Sequence, residues 1–212
     1  MFFKKAPTLS GVAALVRQYF TDGFYPTGKA DASNAMETVS ASLIKAVLLS
    51  SARPMTGLAR TAKGLKDSFS VYSPAQRRFF EGHGLVNLAN TLSLQGINER
   101  SLYVTERKIS TNQIHTFTVT LSGSAASDLV VTLVWTDPPG LPSASLALVN
   151  DLDLTVTAMA TNSVLLGNAV DATISTPDRL NNVEKVIIPA AASNGASYRV
   201  QVKGFNVPLN GP

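Results

Sequence analysis

The chain contains no cysteine, one tryptophan and two histidines in 212 residues. Without thiols it forms no disulfide, binds no zinc or iron–sulfur cluster through sulfur and has no cysteine nucleophile. Charge is scarce as well: 15% of residues are charged against 45% hydrophobic, a balance too apolar for a disordered chain. The basic residues are scattered and aromatics do not interleave with them, so the stripe that nucleic acid needs is missing and no such partner is expected. Fourteen glycines and eleven prolines are an ordinary share, which excludes collagen-like and low-complexity chains. Long hydrophobic runs are absent too. Ala6 to Val16, behind Met1-Phe2-Phe3-Lys4-Lys5, imitates a signal peptide, but Arg17-Gln18 follows with no small-x-small cleavage site. The run falls well short of the ~20 residues of a membrane span, so it reads as a buried helix and no membrane partner is expected. No Gly-x-Ser-x-Gly elbow occurs, and Gly23-Phe24-Tyr25-Pro26-Thr27-Gly28-Lys29 is followed by Ala30 where a phosphate-binding Gly-x-x-x-x-Gly-Lys loop needs Ser or Thr.

What is present divides in two. Up to Gln95 there are eleven basic and five acidic residues; from Gly96 onward there are seven and nine. The apolar period changes at the same place. Leu9, Val12, Ala13, Val16, Tyr19 and Phe20 recur at helical spacing, with Pro7 or Thr8 to start the helix. Asp31 to Ser51 reads as a second helix, stopped by Arg53-Pro54, and Leu85 to Leu94 as a short third. Met55 to Ser73 reads as a loop and Gly82-His83-Gly84 as a tight turn. Beyond Gly96 the period becomes two. Ile114–Leu121, Asp128–Trp135, Leu152–Ala158, Glu184–Ile188 and Tyr198–Val202 read as strands, punctuated by Pro138-Pro139-Gly140, Asn162-Ser163 and Asn194-Gly195. Strands without helices between them predict an antiparallel sandwich or jelly roll. The fold class is therefore α+β, with a boundary near Gly96 to Glu99.

Candidate chemistry is concentrated in the second half. His115 lies beside Thr116 and Thr118 and reads as a solvent-face residue, and His83 as part of a packed turn; neither has the surroundings of a catalytic base. Asn150-Asp151-Leu152-Asp153-Leu154 places two carboxylates at i and i+2, on one face of a strand, with both leucines on the other. Asp137, Asn168, Asp171, Asp178, Asn181, Asn182 and Glu184 add oxygen donors from turns nearby in sequence, a set suited to Ca²⁺ rather than zinc or copper. The plainer reading is that Asx residues here form turns and caps.

Several segments resemble the subtilisin-like serine proteases. Ala6-Pro7-Thr8-Leu9-Ser10-Gly11-Val12-Ala13-Ala14-Leu15 is similar to the helix that follows the nucleophile in that family. Ala41 to Leu49 is similar to its next helix, and Phe80-Glu81-Gly82-His83-Gly84-Leu85-Val86-Asn87 to its closing turn. Leu133-Val134-Trp135-Thr136-Asp137, Leu148 to Leu154, Asn181-Asn182-Val183-Glu184 and Phe205-Asn206-Val207-Pro208 resemble a branch in which a β-jelly-roll domain, reminiscent of the convertase P domain, follows the protease domain.

The resemblance implies that residues 1–96 are the last helices of an α/β catalytic domain and 97–212 a jelly roll lacking its last strand. It implies serine endopeptidase chemistry on protein and peptide substrates, secretion, and calcium in the β-domain. The expected ligands centre on Asp151, Asp153 and Asp137, with Asp171, Asn182 and Glu184 as weaker ones. The position of the nucleophilic serine falls on Phe3, and the family's catalytic Asp, His and oxyanion-hole Asn have no counterpart in this sequence. The chain reads as a fragment cut at both ends and inactive by itself, with no signal peptide of its own. The alternative is a non-catalytic, calcium-stabilised β-sandwich that binds or stabilises. The helical half is expected to be poorly stable alone, because the faces of Val12, Ala13, Val16, Leu43, Val47 and Leu48 would lack a sheet to cover them.

Overall fold

The structure is a computed structural model and describes residues 5–55, 58–61, 64–67, 79–121, 127–169, 173–190 and 195–208. The fold is α+β, with strands outnumbering helices among the described residues. The chain divides into two compact units, Met1–Thr105 and Glu106–Pro212. That division lies after the change of period near Gly96. Residues just beyond the change still pack with the helices: Leu102 and Val104 join their core, and the Val104 N–H donates to Tyr25 Oη at 3.3 Å.

In the first unit, helix α1 spans Lys5–Thr21. Pro7 is tolerated because the first-turn N–H groups have no intrahelical partner in any case. Helix α2 is Ala41–Ser51, shorter than the Asp31–Ser51 expected from periodicity. Two capping residues explain the difference. Asp31 accepts from the Ser33 N–H and ends in a single 3-10 turn, Ala32–Asn34, while Ser40 accepts from the Leu43 N–H at 2.9 Å and starts α2 afresh. Ser40→Ala should therefore cost about 1 kcal/mol in a urea melt of the chain, by loss of this cap. A change within error would show that the cap adds nothing.

Leu85 to Leu94 is not a helix either. The Leu85 backbone is committed to a β-bridge with Arg53, and only Leu88–Asn90 forms a 3-10 turn. Gly84 permits that bridge, since its φ is +97° and a Cβ would come within 2.6 Å of the Arg53 carbonyl carbon. Part of the expected loop is a hairpin: β1 (Leu58–Thr61) pairs antiparallel with β2 (Gly64–Asp67), and the rest of it from 68 to 73 lies outside the described residues. Val16, Tyr19, Phe20, Leu43, Val47 and Leu92 form one buried cluster. So the apolar faces of Val16, Leu43 and Val47 have partners within the unit, contrary to the sequence expectation. Leu9 and Leu15 on α1 are exposed.

The second unit is built from two antiparallel sheets. Strands β3 (Ile114–Thr120), β8 (Ser197–Asn206), β5 (Asp151–Ala158) and β6 (Val164–Leu166) form one in the order β3-β8-β5-β6. Strands β4 (Leu129–Val134) and β7 (Val183–Ile188) form the other. Alternation sends Leu154, Val156, Tyr198 and Val200 from the first sheet, and Val186 and Ile188 from the second, into a shared core. All five expected strands are present, and the three-residue β6 is an addition. His115 differs from expectation: it shares the half-buried face of Phe117 and Val119, not the threonine face, and its Nε2 bonds the Lys108 carbonyl at 2.9 Å. Asn194 of the expected Asn-Gly turn lies outside the described residues, while Gly195 has φ +64°.

Candidate functional site

The period of β5 turns Leu152 and Leu154 inward, and Asp151 and Asp153 to the opposite face, as their spacing requires. The cross-strand register places Lys203 opposite Asp153, and Phe205 lies at the bulge where the register shifts between Asp151 and Leu152. Over this face lies Arg179, from the segment before β7. Its Nη1 donates to Asp151 Oδ1 at 3.1 Å and to Asp153 Oδ1, and its Nη2 reaches Asp153 Oδ2 at 3.3 Å. The guanidinium carbon stands 3.7 Å from the Phe205 ring centroid, within cation–π range. Burial lifts the Asp151 carboxyl above the usual range, while Arg179 pulls the other way. The two carboxylates raise the Arg179 guanidinium further, against its partial desolvation.

Asp178, next in sequence, organises the loop that carries Arg179. Its Oδ2 accepts from the Asn168 and Asn181 side-chain amides at 2.6 and 2.7 Å, and its Oδ1 from the Leu180 N–H at 2.9 Å. Burial works against its charge, but these donors win and hold its carboxyl below the ordinary value. Asn168, at φ +65°, also donates to the Val183 carbonyl and accepts from the Lys185 N–H, joining the end of β6 to β7.

Glu184 shares the inner face of β7 with Val186 and Ile188 and is 1% exposed. Its Oε2 accepts from the Leu154 N–H at 2.6 Å, and its Oε1 has no hydrogen-bond partner among the described residues. Burial pushes its carboxyl up to about 8, and the carboxylates of Asp153, Asp178 and Asp151 push the same way against the Leu154 hydrogen bond. It is therefore largely protonated at neutral pH. Gly167 makes room for it, because a Cβ there would lie 2.6 Å from Glu184 Cβ. Gly167→Ala should cost about 1–3 kcal/mol by overpacking. An unchanged denaturation midpoint would show that Glu184 has another place to go.

Of the five expected calcium ligands among the described residues, the structure brings Asp151 and Asp153 together and joins them through Arg179. Asp137 is committed elsewhere, with one oxygen on the Val149 N–H at 2.7 Å and the other on the Asn150 N–H at 2.8 Å. It thereby fastens the base of the loop from 138 to 148. Asn182 directs its amide to the Trp135 carbonyl at 3.1 Å, and Glu184 faces the core. Asp171 lies outside the described residues. Calcium takes six to eight oxygens, and the donors described do not fit that shell; no group of three or more His, Asp or Glu able to hold a metal occurs among the described residues. Composition pointed to the acidic pair but not to Arg179, 26 and 28 residues away from it. The available signal was the need of two same-face carboxylates for a cation.

These features define the second unit as an antiparallel β-sandwich with a charge-compensated acidic face. No family model matches the chain. It is 32% identical, over 96% of its length, to the serine protease/ABC transporter B family protein tagA of Dictyostelium discoideum. It is 29% identical over the same share to tagD and to tagB, proteins of the same description and organism. The chain spans 11–13% of the length of these relatives. No helix among the described residues is long and apolar enough to cross a membrane.

Proposed function

We propose that the chain is part of a subtilisin-like serine endopeptidase, contributing helices of the catalytic domain from residues 1–96 and a jelly-roll accessory domain from 97–212. The observation that carries this reading is the similarity to proteins named serine protease/ABC transporter B family proteins, which runs through both the helical and the β-sandwich unit. Proteins and peptides are then the substrates of the whole enzyme, acting outside the cell. The part of the protein present here would have a supporting role. His115 bonds the Lys108 carbonyl, and the acidic cluster serves Arg179 and backbone N–H groups. The rival reading is a non-catalytic stabilising module.

An antibody raised against the β-sandwich unit separates the two. On the protease reading it depletes from native extract a polypeptide that reacts with a fluorophosphonate and hydrolyses casein. Capture of an unreactive polypeptide alone leaves the module. The purified 212-residue chain should neither label nor hydrolyse casein, and hydrolysis blocked by the fluorophosphonate would overturn its supporting role.

A further inference from the structure

We propose that Arg179 is a resident cation: its guanidinium takes the position between Asp151 and Asp153 that would otherwise call for a divalent metal, so this acidic face of the β-sandwich draws no stability from calcium. Two carboxylates on one strand face repel each other and need a positive charge between them. Their side chains are 12% and 14% exposed, so water alone compensates them poorly. A planar guanidinium suits this place better than a spherical ion. Its fork reaches both carboxylates, while its face lies on Phe205, where a metal ion would desolvate against carbon. Lys203, opposite Asp153 in the register, brings a second positive charge to the same face. Asp178 and its amide donors hold the neighbouring backbone, so Arg179 is presented from an ordered loop. A calcium ion entering here would have to expel Arg179 and then find its remaining oxygens among groups already bonded, as Asp137 is to two backbone N–H groups.

The test is a thermal melt of the full chain, read by fluorescence of its single tryptophan, Trp135, in about 5 mM calcium chloride and in chelator. The wild-type midpoint should agree in the two conditions within about 1 °C. Arg179→Met, which keeps an apolar stem over Phe205 but removes the charge, should melt several degrees lower in chelator and recover part of the loss in calcium. Asp153→Asn should also melt lower, with no calcium response. A wild-type midpoint that rises by several degrees in calcium overturns the inference, whether or not the variants fold. So does an Arg179→Met chain as stable as wild type in chelator.

Discussion

Glu184→Gln should flatten the dependence of stability on pH between about 5 and 8, where the wild-type chain is expected to lose stability steadily. In the folded chain burial raises the Glu184 carboxyl to about 8 from an ordinary 4.5. The folded state therefore keeps a proton that the unfolded chain gives up, and unfolding releases it. Stability from this group is fully present below about 4.5 and is lost as pH rises through about 8. At ~1.4 kcal/mol per pKa unit, the ceiling on the loss is about 5 kcal/mol, and relaxation of the site will reduce it. The negative charges of Asp153, Asp178 and Asp151 add to the effect, and the Leu154 N–H opposes it. Glutamine keeps a carbonyl oxygen for that N–H and cannot ionise. Urea melts at pH 5, 6, 7 and 8 should show the two proteins diverging, with the variant the more stable at pH 8. Parallel curves would mean that Glu184 titrates normally and that its buried position is not held in solution.

The burial of Glu184 was not legible in the sequence, which offered it only as an oxygen donor. In Val183-Glu184-Lys185-Val186-Ile187-Ile188 each face carries two apolar residues and one charged one, so the period of two could not tell which face meets the core; the structure turns Glu184, Val186 and Ile188 inward. The same alternation located the five long strands and put Asp151 and Asp153 on one face. Local chemistry was harder to read. Asp31 and Ser40 are both good capping residues, and periodicity alone could not show that each would start its own element. Leu85 follows a glycine whose positive φ serves a bridge to Arg53, a contact that no nearby sequence announces. The three-residue β6 is too short to display a period. The partners of the acidic pair escaped for the same reason as the bridge: Arg179 and Phe205 reach Asp151 and Asp153 through the fold, from distant positions in the chain.

Leu154→Ala should lower stability by about 2–5 kcal/mol, the range for removing a buried leucine when its surroundings collapse only in part. Leu154 is 1% exposed and packs with Val156, Val186, Ile188, Tyr198 and Val200, so its side chain joins the two sheets across the core. Ile187, on the adjacent sheet, removes a side chain of equal size when changed to alanine, yet it is 44% exposed and points away from that core. Its loss should cost about 1 kcal/mol or less, since water already reaches much of the side chain. Trp135 reports both changes, because it is the only tryptophan and lies buried against Leu152, in the cluster adjoining Leu154. Equal midpoint shifts for the two variants would refute the inner-face assignment of β5. A large shift for Leu154→Ala alone supports it, and it bears on the acidic face as well. The strand that turns Leu154 into the core is the one that turns Asp151 and Asp153 out to Arg179, so a cavity beneath β5 should also loosen the ion triad above it.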